Sequence, residues 1–219
     1  MKTTTPEIVA QNIEQVRTRI ANVAHSQDVK IVAVTKGFDV TAPRAALAQG
    51  LFRCGENYAQ ELIEKHAQLT DDERQQIEWH FLGRLQSNKI RQLVEIVSVW
   101  QSIDRLSLIQ ELERRSPGAK VMIQVNISNE PQKGGVAPSE ALALVDAARS
   151  HQLVVCGLMG VGAFGDDNVT QAGFAQLAEL ALSAEVPEIS MGMTDDLELA
   201  IAAGSTMVRI GTAIFGSRT

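Results

Sequence analysis

A lysine directly follows an apolar run near the start of the chain. Lys36 comes after the residues IVAVT at 31–35, which are typical of a buried strand. An ammonium group is costly to bury unless it is paired or chemically altered, whereas an exposed lysine at a strand end costs nothing. A lysine amine can also form a Schiff base with an aldehyde. The run by itself leaves three alternatives open: a solvated lysine, a charge partner for an anion, or a Schiff-base lysine.

Two turns rich in serine, threonine and glycine follow strand-like runs near the C-terminus. The first is SMGMTDD at 190–196, and the second is RIGTAIFG at 209–216, which begins with Arg209. Glycine lets backbone N–H groups approach a ligand closely, hydroxyl groups add hydrogen bonds, and a helix start favours negative charge. Turns of this kind are typical of a phosphate-binding site.

Strand-like and helix-like segments alternate between these residues. A leading helix is predicted over 6–24, where apolar residues recur at helical spacing and Pro6 suits the first helical position. Eight strands are predicted, at 31–35, 51–54, 79–82, 96–102, 121–127, 153–159, 188–191 and 206–210. Helices are predicted after the first seven strands, at 41–49, 58–68, 87–94, 104–115, 138–150, 169–183 and 195–203.

Near-continuous apolar strands that alternate with amphipathic helices predict a parallel sheet in an α/β fold. A doubly wound sheet would use the same units, but eight evenly spaced units favour closure into a single TIM-type (β/α)8 barrel with an extra N-terminal helix. We see no linker or repeat and predict one domain over 1–219. In a closed barrel the eighth strand lies beside the first, so Lys36, Arg209 and both turns should converge at the carboxyl ends of the strands.

The composition argues against some classes of function. The chain has 219 residues and a formal net charge of −6, which argues against a nucleic-acid-binding protein. No apolar run reaches the length of a membrane span, and the N-terminus carries no apolar signal core. Cys54 and Cys156 follow no metal or redox spacing, so we expect reduced thiols in a cytoplasmic protein and no metal site.

Eight stretches of the sequence occur in the order and spacing of one known family. Over almost its whole length the chain resembles the pyridoxal 5′-phosphate (PLP) homeostasis protein family. The matching stretches are AVTKG around Lys36, GENYAQE at 55–61, WHFLGRLQSNK at 79–89, SIDR at 102–105, QVNIS with KGG at 124–135, GLMG at 157–160, SMGMTDD at 190–196 and GSTMVRIGTAIFGSR at 204–218. The resemblance implies a PLP-binding barrel of fold type III, like the N-terminal domain of alanine racemase.

The resemblance also implies roles for individual residues. Lys36 matches the lysine that holds PLP as an internal aldimine, and Arg209 matches the arginine that faces the pyridine nitrogen. Asn57 matches a pocket residue near the cofactor. The phosphate-binding groups of the family are matched by Ser190, Gly192, Gly211 and Thr212, together with the backbone of Met193.

Three functions compete for this set of residues: a PLP homeostasis protein, a PLP-dependent amino-acid racemase, and a barrel enzyme for phosphorylated sugars. The third explains neither Arg209 nor the ordered motifs. An arginine opposite the ring nitrogen disfavours protonation of that nitrogen and weakens the cofactor as an electron sink. Because the chain ends at Thr219, we expect no added C-terminal domain, and Tyr58, the single tyrosine, is then the one evident candidate for an opposing acid.

We therefore expect a carrier that holds and releases PLP without strong catalysis, with the racemase as the alternative. The expected partners are PLP and apo PLP enzymes as acceptors, with no nucleic acid, no membrane and a monomeric chain. His80 is expected to be an interior, hydrogen-bonded histidine rather than a general base. The loop 161–169 departs from the family pattern, and Lys133 is expected to be a mobile loop lysine near the end of the fifth strand.

Overall fold

Eight parallel strands close into a barrel in the computed structural model, which describes residues 5–24, 27–128, 130 and 133–217. Each strand pairs with its neighbours in sequence, and the eighth pairs with the first. The strands are β1 (Lys30–Val34), β2 (Arg53–Glu56), β3 (Glu78–Phe81), β4 (Val97–Ile103), β5 (Lys120–Val125), β6 (Val154–Gly160), β7 (Glu188–Ser190) and β8 (Met207–Ile210). The predicted α/β barrel is confirmed.

Helices surround the barrel, and the predicted leading helix is present. They are α1 (Pro6–Ala24), α2 (Thr41–Ala48), α3 (Ala59–Gln68), α4 (Asp71–Gln76), α5 (Ser87–Leu93), α6 (Leu106–Arg115), α7 (Ala141–Ser150), α8 (Asp167–Ser183), α9 (Leu197–Ala202) and α10 (Thr212–Phe215), with a 3₁₀ turn at Pro138–Glu140. The short helices α4 and α10 add to the predicted set. Helix α4 begins with a capping box, in which Thr70 and Glu73 satisfy each other's backbone amides.

The second strand begins two residues later than predicted. Leu51 is buried in the loop after α2, and pairing with β3 begins only at Arg53, which lies opposite Glu78. The shift matters for function because β2 now ends at Glu56, which places Asn57 at the carboxyl end of the strand. The assignment of 1–219 to one domain stays a prediction.

Side chains fill the inside of the barrel. A small apolar cluster within it comes from β1, β4, β5, β6 and β8, and a larger cluster lies between the strands and the helices. The inner cluster consists of Val32, Val99, Met122, Met159 and Met207. The leading helix α1 packs against α9 and α10, the two helices that flank β8.

Within the described ranges, none of the helices is both long and apolar enough to cross a membrane.

Candidate functional site

Barrel closure brings Lys36 to the rim formed by β8 and β2. Strand β1 ends at Val34, and its register pairs Ala33 with Ile210 of β8 and Val34 with Gly55 of β2. The two residues beyond each of these strand ends therefore reach the same carboxyl-terminal rim. Lys36 is half-buried there.

Arg209 lies inside the barrel, below this rim, and is 5% exposed. Its Nη1 donates to the carbonyl oxygen of Ser190 at 2.6 Å and to the Ser190 hydroxyl at 2.8 Å, and its Nη2 donates to the carbonyl of Gly160 at 2.8 Å. Burial lowers the pKa of the guanidinium to about 10, and the charge of Asp196 opposes that change. Arg209 is therefore a buried cation held by neutral acceptors.

A chain of hydrogen bonds runs from Arg209 down the inside of the barrel. The Ser190 hydroxyl donates to Oε1 of Gln101 at 2.7 Å, and Nε2 of Gln101 lies 2.6 Å from Nδ1 of His80. Nε2 of His80 lies 2.9 Å from Glu78, and this hydrogen bond is the main cause that lowers the pKa of that carboxyl. Because a carboxylate only accepts, Nε2 of His80 carries the proton and Nδ1 accepts from Gln101. His80 is thus the interior, hydrogen-bonded histidine that the sequence predicts.

The turn after β7 needs glycine at position 192. Gly192 has a φ of 94°, and a Cβ there would lie 2.6 Å from the Cβ of Ala200. The next amide, that of Met193, donates to Asp196 at 2.5 Å. An anion bound at the Met193 amide would therefore have to compete with the Asp196 carboxylate.

The turn after β8 leads into α10, and Thr212 is its first residue. Thr212 is exposed at the rim, and Gly211 packs so closely that a Cβ there would lie 3.1 Å from the Val34 carbonyl. The amide of Ala213 donates to the Thr194 hydroxyl at 3.3 Å, which joins the turns after β7 and β8. Thr194 was missed by the sequence analysis, although it lies within the quoted motif SMGMTDD.

Asn57 presents an unused acceptor near Lys36. Its Oδ1 is buried, and it has no hydrogen-bond partner among the described residues. Its backbone is packed against Gly83, where a Cβ would lie only 1.9 Å from the Asn57 carbonyl oxygen. Gly83 is therefore a second residue that the sequence analysis missed, and its position in the motif WHFLGRLQSNK was the available signal.

Lys133, expected to be a mobile loop lysine, forms two contacts near the end of β5. Its Nζ lies 2.5 Å from the Glu130 carboxylate and donates to the Gly162 carbonyl at 2.6 Å. The latter bond ties the loop after β5 to the atypical loop 161–169. Tyr58 is 60% exposed at the end of β2, so the only phenol of the chain points toward solvent.

Of the predicted residues, the structure brings Lys36, Asn57, Gly211 and Thr212 to one rim, with Arg209 directly below it. Ser190 lies in the barrel interior, fully buried, with its hydroxyl between Gln101 and Arg209. Gln101 and His80 join the set through the hydrogen-bond chain. A cup of glycine turns and hydroxyls, a cation below it and a lysine at its edge can bind a phosphorylated aldehyde.

The chain matches known proteins over nearly its whole length. Residues 7–219 match the family model described as alanine racemase, N-terminal domain. A protein from Pseudomonas aeruginosa named pyridoxal phosphate homeostasis protein is 40% identical over 223 residues, which is 96% of this chain and 96% of that protein. A protein of the same name from Escherichia coli K12 is 37% identical over 226 residues, with 96% and 97% coverage.

A solved structure shows the same architecture. The structure of PipY from Synechococcus elongatus PCC7942 with PLP bound gives a TM-score of 0.83 at 33% sequence identity, and the match covers 95% of this chain and 100% of that chain.

Proposed function

The chain belongs to the pyridoxal phosphate homeostasis protein family, and we propose that it binds PLP at the barrel mouth, with Lys36 as its point of covalent attachment. The observation that carries the proposal is the β1–β8 register. It sets the lysine at the end of β1 beside the glycine and threonine turn that follows β8. Two rim elements far apart in sequence thereby form one site for an aldehyde and a phosphate.

The residues at the rim fit this cofactor. PLP supplies an aldehyde, which condenses with a primary amine and releases one water. Lys36 provides the amine, and the orphaned acceptor of Asn57 provides a polar contact beside it. Gly211 lets the turn pack closely against β1, because a Cβ at this position would crowd the Val34 carbonyl oxygen. This fit explains why a buried acceptor without a partner is tolerated at this place.

In this proposal the phosphate is held by Gly192, Gly211 and Thr212. The Met193 amide, which now donates to the Asp196 carboxylate, would donate to the phosphate instead. Ser190 stays a predicted phosphate-binding residue, and its present contacts suggest a second role. Its hydroxyl donates to Gln101 and accepts from Arg209, so in this proposal it also holds the arginine below the phosphate.

We propose further that the protein catalyses no efficient racemisation or transamination. A guanidinium remains protonated in proteins, so Arg209 cannot itself donate a proton to a ring nitrogen and keep it charged, as a carboxylic acid can. Tyr58, the candidate for an opposing acid, is 60% exposed at the end of β2. Without a positioned acid or base, a rate is typically lower by about 10²–10⁴-fold. Chiral chromatography of alanine and serine after long incubation tests this. Turnover of about 1 per second or faster that disappears in Lys36→Ala would establish the racemase instead.

The acceptors in this proposal are apo PLP enzymes, and the proposed location is the cytoplasm. A cytoplasmic location agrees with two free thiols, Cys54 and Cys156, whose pKa values are raised by burial. We also retain the proposal that the chain is a monomer.

Spectral titration of the purified protein with PLP tests the binding proposal. The wild-type protein should develop an absorbance band distinct from that of free PLP, and Lys36→Ala should not. Lys89→Ala is the control, because it removes another half-buried lysine from the barrel and should leave the band unchanged. A band that survives in Lys36→Ala and disappears in Lys89→Ala would refute the assignment of Lys36.

A further inference from the structure

A buried ion pair lies behind the strand end that carries Lys36. Lys65 of α3 is 3% exposed, and its Nζ lies 2.5 Å from Oε1 of Glu56, which is fully buried at the end of β2. The hydroxyl of Thr35 donates to the same carboxylate oxygen at 2.5 Å. Lys65 also donates to the backbone carbonyl of Thr35 at 2.8 Å. The residue immediately before Lys36 is thus held through both its side chain and its backbone.

The residue immediately after Lys36 is held from the same helix. The backbone amide of Gly37 donates to Oε2 of Glu61 at 2.7 Å, and this carboxylate oxygen lies 3.4 Å from Nζ of Lys65. Gly37 has a φ of 77°, so the chain turns sharply at this point. Two charged residues of α3 therefore hold the backbone on either side of Lys36.

We call Thr35, Glu56, Glu61 and Lys65 the Lys36 clamp. Thr35 directs its side chain out of the barrel wall toward Glu56. Successive side chains of an extended segment point in opposite directions, so a backbone fixed with Thr35 outward directs the next side chain toward the barrel mouth. Fixing residues 35 and 37 therefore fixes the direction in which the Lys36 side chain leaves the chain.

We infer that Glu61 and Lys65 are positioning residues for Lys36, which they aim at the cofactor without touching it. The inference rests on the function proposed above. It makes a specific prediction, because the clamp acts on the lysine and not on the phosphate cup after β7 and β8. A defect in the clamp should impair attachment to Lys36 and spare the binding of a phosphate ligand that cannot react.

Glu61→Ala is the variant that tests this inference. The Glu61 side chain is 34% exposed, so its removal should leave the fold intact, which circular dichroism and thermal unfolding would verify. Glu61→Gln is the conservative variant, because its amide oxygen can still accept from the Gly37 amide. Glu64→Ala is the matched control: it removes the same charge from the exposed side of the same helix, where the Glu64 carboxylate accepts a hydrogen bond from Gln60.

Two ligands separate positioning from general damage. PLP reports attachment to Lys36, and pyridoxine 5′-phosphate, which has an alcohol in place of the aldehyde, reports the phosphate cup alone. Without this hydrogen bond the backbone at Lys36 must be ordered on attachment, and since fixing one residue costs about 1–2 kcal/mol, PLP binding should weaken by about tenfold in Glu61→Ala. Pyridoxine 5′-phosphate should bind within about twofold of the wild-type affinity, Glu61→Gln should recover most of the PLP affinity, and Glu64→Ala should match the wild type for both ligands.

The other outcomes contradict the inference in different ways. Equal PLP binding by Glu61→Ala and the wild type would overturn it while leaving the proposed function standing. Equal loss of both ligands in Glu61→Ala would show a general structural role and would also overturn it. A wild-type protein that binds neither ligand would refute the proposed function, and the inference with it.

Discussion

Among the described residues, Lys65 and Arg209 are the two most deeply buried cations, and they are held in opposite ways. Lys65 lies outside the barrel wall, where it pairs with the carboxylates of Glu56 and Glu61. Arg209 lies inside the barrel, where its bonds are to two backbone carbonyls and the hydroxyl of Ser190. Within the part of the chain that the structure describes, no carboxylate forms an ion pair with Arg209.

The difference predicts that Lys65 is needed mainly for local stability, whereas the charge of Arg209 is available to a ligand. The charge of Lys65 is neutralised at contact distance, so it adds little electrostatic potential beyond its own cluster. Asp196 is the one described carboxylate whose charge acts on Arg209, at longer range. Burial lowers the pKa of Arg209 to about 10, which still leaves it protonated at neutral pH. Arg209 therefore adds positive potential below the rim, where an anionic ligand would gain from it.

The largest expected effect is on stability, in Lys65→Met. Removing one partner of a buried ion pair leaves the carboxylate of Glu56 uncompensated, and such changes cost about 3–5 kcal/mol. Denaturant unfolding should show this loss. The control is Lys30→Met, which breaks the partly exposed pair with Glu188 and should cost less than about 1 kcal/mol. Equal losses in the two variants would contradict the structural role assigned to Lys65.

The second effect is on binding, in Thr212→Ala. A lost hydrogen bond to a charged phosphate oxygen costs about 1.5–3 kcal/mol, so PLP affinity should fall about tenfold or more. Thr212 is exposed, so the free energy of unfolding without ligand should change little. Thr18→Ala, a surface threonine on α1, is the control for both measurements. If Thr212→Ala binds PLP as tightly as the wild type, the phosphate cup lies elsewhere.

Arg209→Met is expected to destabilise the protein less than Lys65→Met does. The variant leaves the carbonyls of Ser190 and Gly160 without their donor, which costs about 1–3 kcal/mol, but it also removes a charge whose burial is unfavourable. Affinity for pyridoxine 5′-phosphate should fall as well, because the positive potential below the rim is lost. The comparison between the cations would fail if Arg209→Met proved the more destabilising change and left that affinity unaltered.

The smallest effect concerns pH and the far end of the interior hydrogen-bond chain. The hydrogen bond from His80 holds the pKa of Glu78 below its ordinary 4.5, so ionised Glu78 adds stability above that value and loses it as the pH falls through the lowered pKa. At pH 7 the free energy of unfolding of the wild type should exceed that of Glu78→Gln by less than about 1 kcal/mol. Unfolding measured down the pH scale should show the gap closing, and a gap that widens toward acid pH would contradict this assignment.

The alternation of apolar runs predicted the barrel because each strand buries both faces and each helix buries one. The same pattern placed Lys36 at a strand end, and closure then brought it to β8. The order of the motifs predicted the family. These are local or periodic signals, and they need no knowledge of which side chains meet across the barrel.

The Lys36 clamp and the hydrogen-bond chain inside the barrel depend on contacts between side chains that are far apart in sequence. Nothing in the helix 58–68 predicted that Lys65 is buried, because its partner Glu56 lies on the outer face of a strand that was itself predicted two residues too early. Ser190 belongs to a turn typical of phosphate sites, but the alternation of β7 directs its hydroxyl inward to Arg209. Gln101 carried no sequence signal at all, since its role depends on contacts from three other strands.

Borohydride reduction followed by peptide mapping is the most direct test of whether the cofactor is attached to Lys36. Reduction makes the bond between lysine and PLP permanent, and tryptic digestion of the reduced wild-type protein isolates the labelled residue. We expect the pyridoxyl group on the peptide 31–44, at Lys36, and no label on that peptide in Lys36→Ala. A pyridoxyl group found only on Lys89 or Lys133 would contradict this expectation.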